Sequence, residues 1–538
     1  LEFNVTGPPG TGKTTWLIRQ IERALTTHGS DKIMVTSHTR AAAAEVAGRG
    51  SAIPKSNIGT LHSFCYRALD RPVIAESRYN EFNDTFPQFR LSTEHVKGLD
   101  SEVEQQTIIT RGDGMLVEFN LARQRMIDED RYPARLKMFA AKYEAWKADN
   151  DYLDFTDLIE KCIDDILYAP GRPEVLLGDE CQDWSRLESA LMQRWGLETE
   201  TFVKVGDPDQ SIFEWRGADP DMFRRSKIPV ENRRILKQSY RVPKAVHALS
   251  LKWIGQIKER DMVEYLPTEN DGRVISQSGS FANPEALIDG IVQRTDADKT
   301  VMILSTCSYM LEPLKSILRR EGIPFHNPYR RSRGDWNPLG SGRGVSMKDR
   351  LFTFLRECPE LWKEDTRAWT WDDLKKWSKI IDAKQVFAHG AKQIIDDIKI
   401  DEPPDIDMTE LFKDIYILSE ALRASRRGDY EWFIQRVHAI KRRRFDFLTK
   451  VIKRRSWQGL IDPPRVIIGT IHSVKGGEAD VVYIFPDLSF AGMQEWNSQG
   501  RGRDMIVRLF YVALTRAKDE VVILQPSSEL NVGNLRLN

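Results

Sequence analysis

Apolar and polar residues alternate at the start of the chain, with Leu1, Phe3 and Val5 set against Glu2, Asn4 and Thr6. That is the period of a β-strand. The alternation stops at Gly7-Pro8-Pro9-Gly10-Thr11-Gly12-Lys13-Thr14-Thr15. Apolar positions then resume at Leu17, Ile18, Ile21, Ala24 and Leu25, a spacing that predicts a helix. Val175-Leu176-Leu177 reads as a buried strand, and further strand candidates are Phe202-Val203-Lys204-Val205, Arg234–Leu236, Val301–Leu304, Val466–Ile468, Val481–Phe485 and Val521–Leu524. Helical spacing occurs between them, as in Ala134–Trp146. Strands separated by helical stretches predict an α/β fold, with parallel sheets flanked by helices.

The opening strand, glycine loop and helix form the context that a phosphate-binding loop requires. Glycines let backbone N–H groups wrap phosphates without a side-chain clash. The helix that follows aims its positive end at the anion. Gly7, Pro8, Gly10, Thr11, Gly12, Lys13, Thr14 and Thr15 are the expected nucleotide-binding residues. Lys13 can reach the β- and γ-phosphates, and the Thr14 hydroxyl can ligate Mg²⁺. The alternative is a plain glycine-rich turn, which neither the strand before it nor the helix after it favours.

Two later segments supply partners for such a loop. Asp179-Glu180-Cys181-Gln182-Asp183 ends the run at Val175, and ligands of open α/β sheets sit at the carboxyl ends of strands. Asp179 is placed to hold Mg²⁺, and Glu180 to orient or deprotonate an attacking water. By itself an acidic cluster is as often a solvated turn. The strand ending at Val205 runs into Gly206-Asp207-Pro208-Asp209-Gln210-Ser211-Ile212-Phe213-Glu214-Trp215-Arg216-Gly217-Ala218. The Gln210 amide could report a γ-phosphate. Trp215 offers a flat ring for stacking a base, although a Trp is more commonly a core residue.

Composition narrows the class. The 538 residues exceed what one hydrophobic core organises, so three or four domains are expected. Lys+Arg and Asp+Glu both number 79, which argues against a histone-like nucleic-acid coat but leaves room for a local basic channel. Cys65, Cys162, Cys181, Cys307 and Cys358 are scattered without a Cys-x-x-Cys pair. That fits a reducing compartment and argues against a zinc or iron–sulfur centre. No apolar run approaches the ~18 residues of a membrane span, and no secretory signal pattern opens the chain. The expected location is cytoplasmic.

With these segments in hand, the chain resembles the UvrD/Rep/PcrA helicases of superfamily 1. Thr36-Ser37-His38-Thr39 with Ala42, Ala43, Glu45 and Val46 looks like motif Ia, and Gly59-Thr60-Leu61-His62-Ser63-Phe64-Cys65 like motif Ic. Asp154-Phe155-Thr156-Asp157-Leu158 matches the short segment that precedes the family's acidic box, and Gly206 to Ala218 is close to motif III. Gln238-Ser239-Tyr240-Arg241 resembles motif IV, Gly469 to Glu478 motif V, and Tyr511 to Lys518 motif VI. Motif V departs from the family in reading Gly476-Gly477-Glu478-Ala479-Asp480 where Gly-Leu-Glu-Phe is usual.

The resemblance implies an ATP- and Mg²⁺-dependent motor on single-stranded DNA and its junctions with duplex. It implies that Tyr240 stacks on adenine, that Glu478 binds the ribose, and that Arg241 and Arg516 touch the γ-phosphate. Thr36, His38, Thr60, His62, Phe64, Trp215, Arg216, Thr470 and His472 would line the path of the strand. It further implies 3′→5′ movement, a monomer, and possible protein partners in DNA repair or replication. Two RecA-like P-loop NTPase cores are expected, one over residues 1–70 and 150–228 and the other over 229–350 and 456–538. Two mainly helical accessory insertions would occupy 71–149 and 351–455. In the second, Trp362, Trp369, Trp371 and Trp377 are expected to form a small core. Lys441-Arg442-Arg443-Arg444 and Lys453-Arg454-Arg455 could grip duplex phosphates or form a solvated helix face. Asp401-Glu402-Pro403-Pro404-Asp405 is expected to be a loop.

Three other readings compete. They are a translocase that strips proteins or remodels forks without processive unwinding, an RNA helicase, and a P-loop kinase or switch with no nucleic-acid partner. All but the switch share the same motor chemistry. In every one of them Lys13→Ala should abolish nucleotide hydrolysis, read as release of inorganic phosphate; normal release would remove the loop from the chemistry.

Overall fold

The computed structural model describes residues 1–37, 52–92, 110–225, 227–330, 336–340, 344–363, 366–399, 405–533 and 535. The predicted loop at 401–405 lies, apart from Asp405, outside them, as do His38, Thr39, Ala42, Ala43, Glu45 and Val46 of the motif that Thr36 opens. The chain forms two compact units. One comprises Leu1–Leu311, Tyr329–Arg333 and Gly469–Asn538, and the other Glu312–Pro328 and Gly334–Ile468.

The first unit holds strands β1 (Glu2–Thr6), β2 (Ile33–Ser37), β3 (Ile58–Gly59), β4 (Val73–Ile74), β5 (Tyr152–Leu153), β6 (Val175–Asp179), β7 (Thr201–Gly206), β8 (Arg233–Ile235), β9 (Arg273–Ser276) and β10 (Val301–Ser305). A parallel sheet runs β3-β2-β6-β7-β1-β8. Its inner strands β2 and β6 are buried at every position, which accounts for unbroken apolar runs there instead of alternation. The registers Val5↔Val205 and Leu177↔Val203 put the carboxyl ends of β1, β6 and β7 on one edge of the sheet. Strands β13 (Ala479–Ile484) and β14 (Ala517–Ile523) join β10 and β9 in a second set of parallel strands, ordered β10-β13-β14-β9. Parallel strands with helices between them form the expected α/β fold.

Boundaries differ from the sequence reading where pairing sets them. The last strand starts at Ala517, four residues before the apolar run, because Ala517 pairs with Ala479. The helix expected to end at Trp146 runs Ala134–Asn150, stopping where Asp151 takes a left-handed conformation at φ 53°. Among the described residues no helix is long and apolar enough to cross a membrane.

Within this unit, helices Arg111–Gln124 and Ala134–Asn150 enclose an aromatic core of Phe82, Phe119, Phe139, Tyr143 and Trp146. Phe139 and Tyr143 stack with ring centres 5.7 Å apart. Beneath lies a buried ion network. Asp154 and Asp157 cap the helix Phe155–Asp165 reciprocally, each carboxylate accepting the other's backbone N–H at 2.7 Å. That explains the spacing of the Asp-Phe-Thr-Asp segment. Arg123 donates to Asp154 at 2.9 Å, and Lys147 donates to Asp154 at 2.8 Å and to Asp157 at 2.6 Å. Burial alone would push the Asp154 carboxyl up, but Arg123 and Lys147 outweigh it and bring it down to about 2. Taking either cation away would leave two buried carboxylates sharing one cation, a loss of about 3–5 kcal/mol.

The second unit is mainly helical. Its core contains Phe354, Trp369, Trp377, Phe412, Trp432 and Phe433, with Phe354 and Trp432 stacked at 5.4 Å. Trp362 and Trp371 pack partly buried against that core, as a structural role for the Trp group requires. Strands β11 (Phe325–His326) and β12 (Val466–Thr470) pair in parallel at Phe325↔Val466. Arg442, Arg443, Arg444, Lys453 and Arg454 are exposed.

Glu76 makes the ion network pH-sensitive. Its Oε1 accepts the Phe155 N–H at 3.1 Å, while its Oε2 has no hydrogen-bond partner among the described residues. Burial, then the charge of Asp154, pushes this carboxyl up to about 8. A carboxyl raised in the fold contributes stability that is complete below its unfolded value and is lost as pH climbs towards 8. Glu76→Gln removes that loss. Its thermal unfolding midpoint should exceed wild type by ~2–4 °C or more at pH 9 and match it near pH 4.5; equal midpoints at pH 9 would show that Glu76 is not held protonated.

Candidate nucleotide site and nucleic-acid path

The glycine loop leaves β1 at the carboxyl edge of its sheet and feeds the helix Lys13–Ala24. The Gly7 N–H donates to Gly206 O at 3.0 Å, fixing the loop beside the end of β7. Gly10 and Gly12 have φ of 74° and 77°, in the left-handed region that favours glycine. Space is equally limiting. A Cβ on Gly7 would lie 2.5 Å from Lys13 Cγ, and one on Gly10 would lie 2.6 Å from Arg241 Cβ. The second contact brings the Ser239-Tyr240-Arg241 segment directly onto the loop. The Tyr240 N–H donates to Gly10 O at 2.8 Å, and Ser239 Oγ and Tyr265 Oη both donate to Pro9 O at 2.9 Å. Tyr240 itself is 78% exposed, an open flat ring beside the loop.

Charges converge on this place from distant parts of the chain. Lys13 Nζ donates to Gly7 O at 2.8 Å, within its own loop. Glu180 follows β6 with φ 54°, a left-handed conformation that costs a non-glycine residue about 1 kcal/mol or more. Gln182 bridges the acidic loop: its Nε2 donates to Glu180, and its Oε1 accepts the Asp207 N–H at 2.9 Å. Lys475 donates to Asp183, and to Gln210 O at 2.7 Å. Burial would raise the Glu180 carboxyl, but Lys13 and Lys475 together hold it below the usual carboxylate range. Asp183 goes the other way, pushed up to about 7 because its burial exceeds the pull of Lys475.

Gln210 is held from both ends. Its Nε2 donates to Asp207 at 2.6 Å, and its Oε1 accepts from Arg516 Nη2 at 2.9 Å. Arg516 is 1% exposed and also donates to Val512 O and Gly477 O. Burial, and then repulsion from Arg241, pushes its guanidinium down to about 9. Arg241 donates to Glu478 at 2.8 Å, and Lys518 lies 2.7 Å from the other Glu478 oxygen. Arg516 and Arg241, beside a glycine-lined loop whose lysine donates inward, fit a polyanion. The Thr14 hydroxyl and the buried Asp179 carboxylate are the oxygen donors that a hard divalent cation takes.

Comparison with known proteins agrees with this geometry. Residues 2–230 match the UvrD/REP helicase N-terminal domain, and residues 412–528 match the UvrD-like helicase C-terminal domain. The chain belongs to the UvrD/Rep helicase family. A probable DNA helicase II homolog of Mycoplasma genitalium is 23% identical over 98% of this chain and 84% of its own length. The ATP-dependent DNA helicase Rep of Buchnera aphidicola subsp. Schizaphis graminum is 24% identical over 97% of this chain and 91% of its own. The ATP-dependent DNA helicase PcrA of Bacillus subtilis is 26% identical over 49% of this chain and 38% of its own.

The residues assigned to the strand path of this UvrD/Rep-type protein divide into two groups. Trp215 is half-buried, with its ring edge-on to Phe213 and His472 at 6.4 Å each. Among the described residues its Nε1 has no hydrogen-bond partner, and neither has Arg216 Nη1. His472 Nε2 donates to Ile212 O at 3.2 Å, and burial pushes its imidazole down to about 4. Thr60 caps the helix Leu61–Ala68, and His62 packs against the Phe155 ring with Glu188 at 3.8 Å. Phe64, by contrast, is 2% exposed and belongs to the core with Met34, Leu158 and Trp184. Leu61, Phe64 and Cys65 share the buried face of their helix, so the expected strand contact from Phe64 is corrected to a packing role. Thr36, in the buried strand β2, and Thr470 are likewise enclosed. His38 lies outside the described residues.

Sequence reading alone did not single out Lys475, Asp183, Gln182 or Tyr265. The first three sit inside segments already recognised, and Lys475 is the only cation in its own. Nothing local marks Tyr265, whose partner lies 256 residues away. Glu180→Gln preserves the hydrogen bond from Gln182 while removing the charge. It should leave nucleotide binding within a few-fold of wild type and lower turnover by about 10² or more, separating an equilibrium binding titration from a phosphate-release rate. Normal turnover would refute the assignment of Glu180 as the base.

Proposed function

We propose that this protein tracks 3′→5′ along single-stranded DNA, using ATP and Mg²⁺, and separates duplex at single-strand/duplex junctions. It is an ATP-hydrolysing DNA helicase; the direction, the metal and the residue roles are the proposal. The carrying observation is the convergence of Lys13, Arg241, Arg516 and Gln210 around one glycine loop, with Trp215 and His472 in the segments that follow Gln210 and Thr470.

In this reading Lys13 and the loop N–H groups bind the β- and γ-phosphates, and Tyr240 offers its exposed ring to adenine. Glu478 exchanges part of its pairing with Arg241 and Lys518 for the ribose. Arg241, freed in this way, and Arg516 stabilise charge on the transferred phosphoryl group, a role worth ~10³–10⁵ in rate. Thr14 and Asp179 hold Mg²⁺, which neutralises phosphate charge when bound. Glu180, kept ionised by Lys13 and Lys475, orients the attacking water. Gln210 joins Asp207 to Arg516, so a change at the γ-phosphate is felt by the turn that carries Trp215. Stacking on such a ring is worth ~1–3 kcal/mol per base and tolerates every sequence, which a translocating motor needs. The cores proposed at 1–70 with 150–228 and 229–350 with 456–538 would close and open with each ATP, and the insertions at 71–149 and 351–455 would be accessory. Action as a monomer, with protein partners in repair or replication, completes the reading.

ATP turnover should rise at least ten-fold on adding single-stranded DNA and less on adding RNA of the same sequence. Duplexes with a 3′ single-stranded tail should be unwound and those with a 5′ tail left intact. Turnover indifferent to both strands would sink the motor assignment, and unwinding from the 5′ tail alone would reverse the direction.

A further inference from the structure

The last turn of helix Arg111–Gln124 is wedged between the two loops just described. Ser185 Oγ donates to Gln124 Oε1 at 2.6 Å, and Gln124 Nε2 donates to Thr156 Oγ1 at 3.4 Å. On the other side lies Gly217, whose φ is 99°. A Cβ there would stand 2.7 Å from Gln124 Cβ, so the turn closes directly on the glutamine stem. Arg125, the next residue, donates to Glu214 O at 3.4 Å. Ser185 comes two residues after Asp183, and Gly217 two residues after Trp215. The two loops also meet each other: the Asp219 N–H donates to Trp184 O at 3.0 Å, and Ser185 and Ala218 form an antiparallel bridge. Gln124 comes from outside both loops and touches each at this junction.

We propose that Gln124 is a positioning residue that holds the Trp215 turn in register with the acidic loop, so that occupancy of the strand path at Trp215 is transmitted to ATP turnover. The inference rests on the reading of the Trp215 turn as a DNA contact. Gln124 lies on neither the nucleotide site nor the strand path; it acts through Ser185 and Gly217. The buried Ser185 hydroxyl needs an acceptor, and the glutamine oxygen supplies one from the helix. Packing against Gly217 requires the aliphatic stem alone. Two substitutions separate these contributions. Gln124→Met keeps the stem and removes the acceptor, whereas Gln124→Glu keeps both, since a carboxylate accepts from the Ser185 and Thr156 hydroxyls alike.

The experiment measures ATP turnover of the full-length wild type, Q124M and Q124E, with and without a saturating oligothymidylate, alongside thermal melting of each. Expected are DNA-free rates within about two-fold of wild type for both variants, since neither touches the nucleotide site. With DNA, kcat of Q124M should fall about ten-fold while its KM for ATP is unchanged, and Q124E should stay within about two-fold of wild type. A Q124M fully responsive to DNA, beside a responsive wild type, overturns the inference and leaves the functional reading intact. Q124M and Q124E impaired alike, or a DNA-free rate and melting temperature that fall together with the stimulated rate, also overturn it, because the side chain would then be structural. Wild-type turnover unmoved by the oligonucleotide overturns the functional reading and this inference with it.

Discussion

A guanidinium buried to 1% exposure is the constraint around which the nucleotide site is built. Arg516 has left water and must recover its hydrogen bonds inside the protein. It does so from the Gln210 side-chain oxygen and from the carbonyls of Val512 and Gly477. Each of these partners thereby acquires a fixed place. Gln210 is turned so that its amide faces Asp207, Gly477 must bring its carbonyl close, and the end of the helix Arg501–Leu514 is anchored. The nearby Arg241 worsens the cost of burial and is itself tied to Glu478.

The same logic explains how the carboxylates are differentiated. Glu180, Asp183 and Asp207 are all buried or nearly so, yet they are driven in different directions. Lys13 and Lys475 lie close enough to Glu180 to overcome its desolvation, whereas for Asp183 desolvation prevails. Two acids three residues apart thus differ in their readiness to lose a proton at neutral pH. The same competition operates between Asp154 and Glu76, where Arg123 and Lys147 settle it for the aspartate and leave the glutamate raised. Helix Arg111–Gln124 contributes Arg123 to that network and Gln124 to the loops beside the nucleotide site, so a single helix end touches both places.

Residues whose position follows from local backbone form were legible. Gly10, Gly12 and Lys13 belong to one turn between a strand and a helix, and the turn dictates its own residue types. Asp179 and Glu180 were legible because a buried apolar strand ends at them. Phe64 was misjudged for a helical reason: it shares the inward face of its turn with Leu61 and Cys65, and resemblance of a motif does not say which face points inward. Tyr265 gave no signal, since its bond to Pro9 O links segments 256 residues apart. The Trp group at 362–377 read correctly as core because large aromatic rings concentrated in a helical stretch have more to gain from burial than from exposure.

By itself the sequence determined many of the strands, the parallel α/β class, the strand–glycine loop–helix unit and the family, because each of these is written in spacing and residue type within short windows. Tertiary structure alone decided which cations face which carboxylates, which direction each acid titrates, and which residues of the recognised motifs lie in the core. Those outcomes depend on distances of a few ångströms between residues hundreds of positions apart. Coulombic attraction and desolvation both change steeply over such distances, and no local pattern in the chain records them.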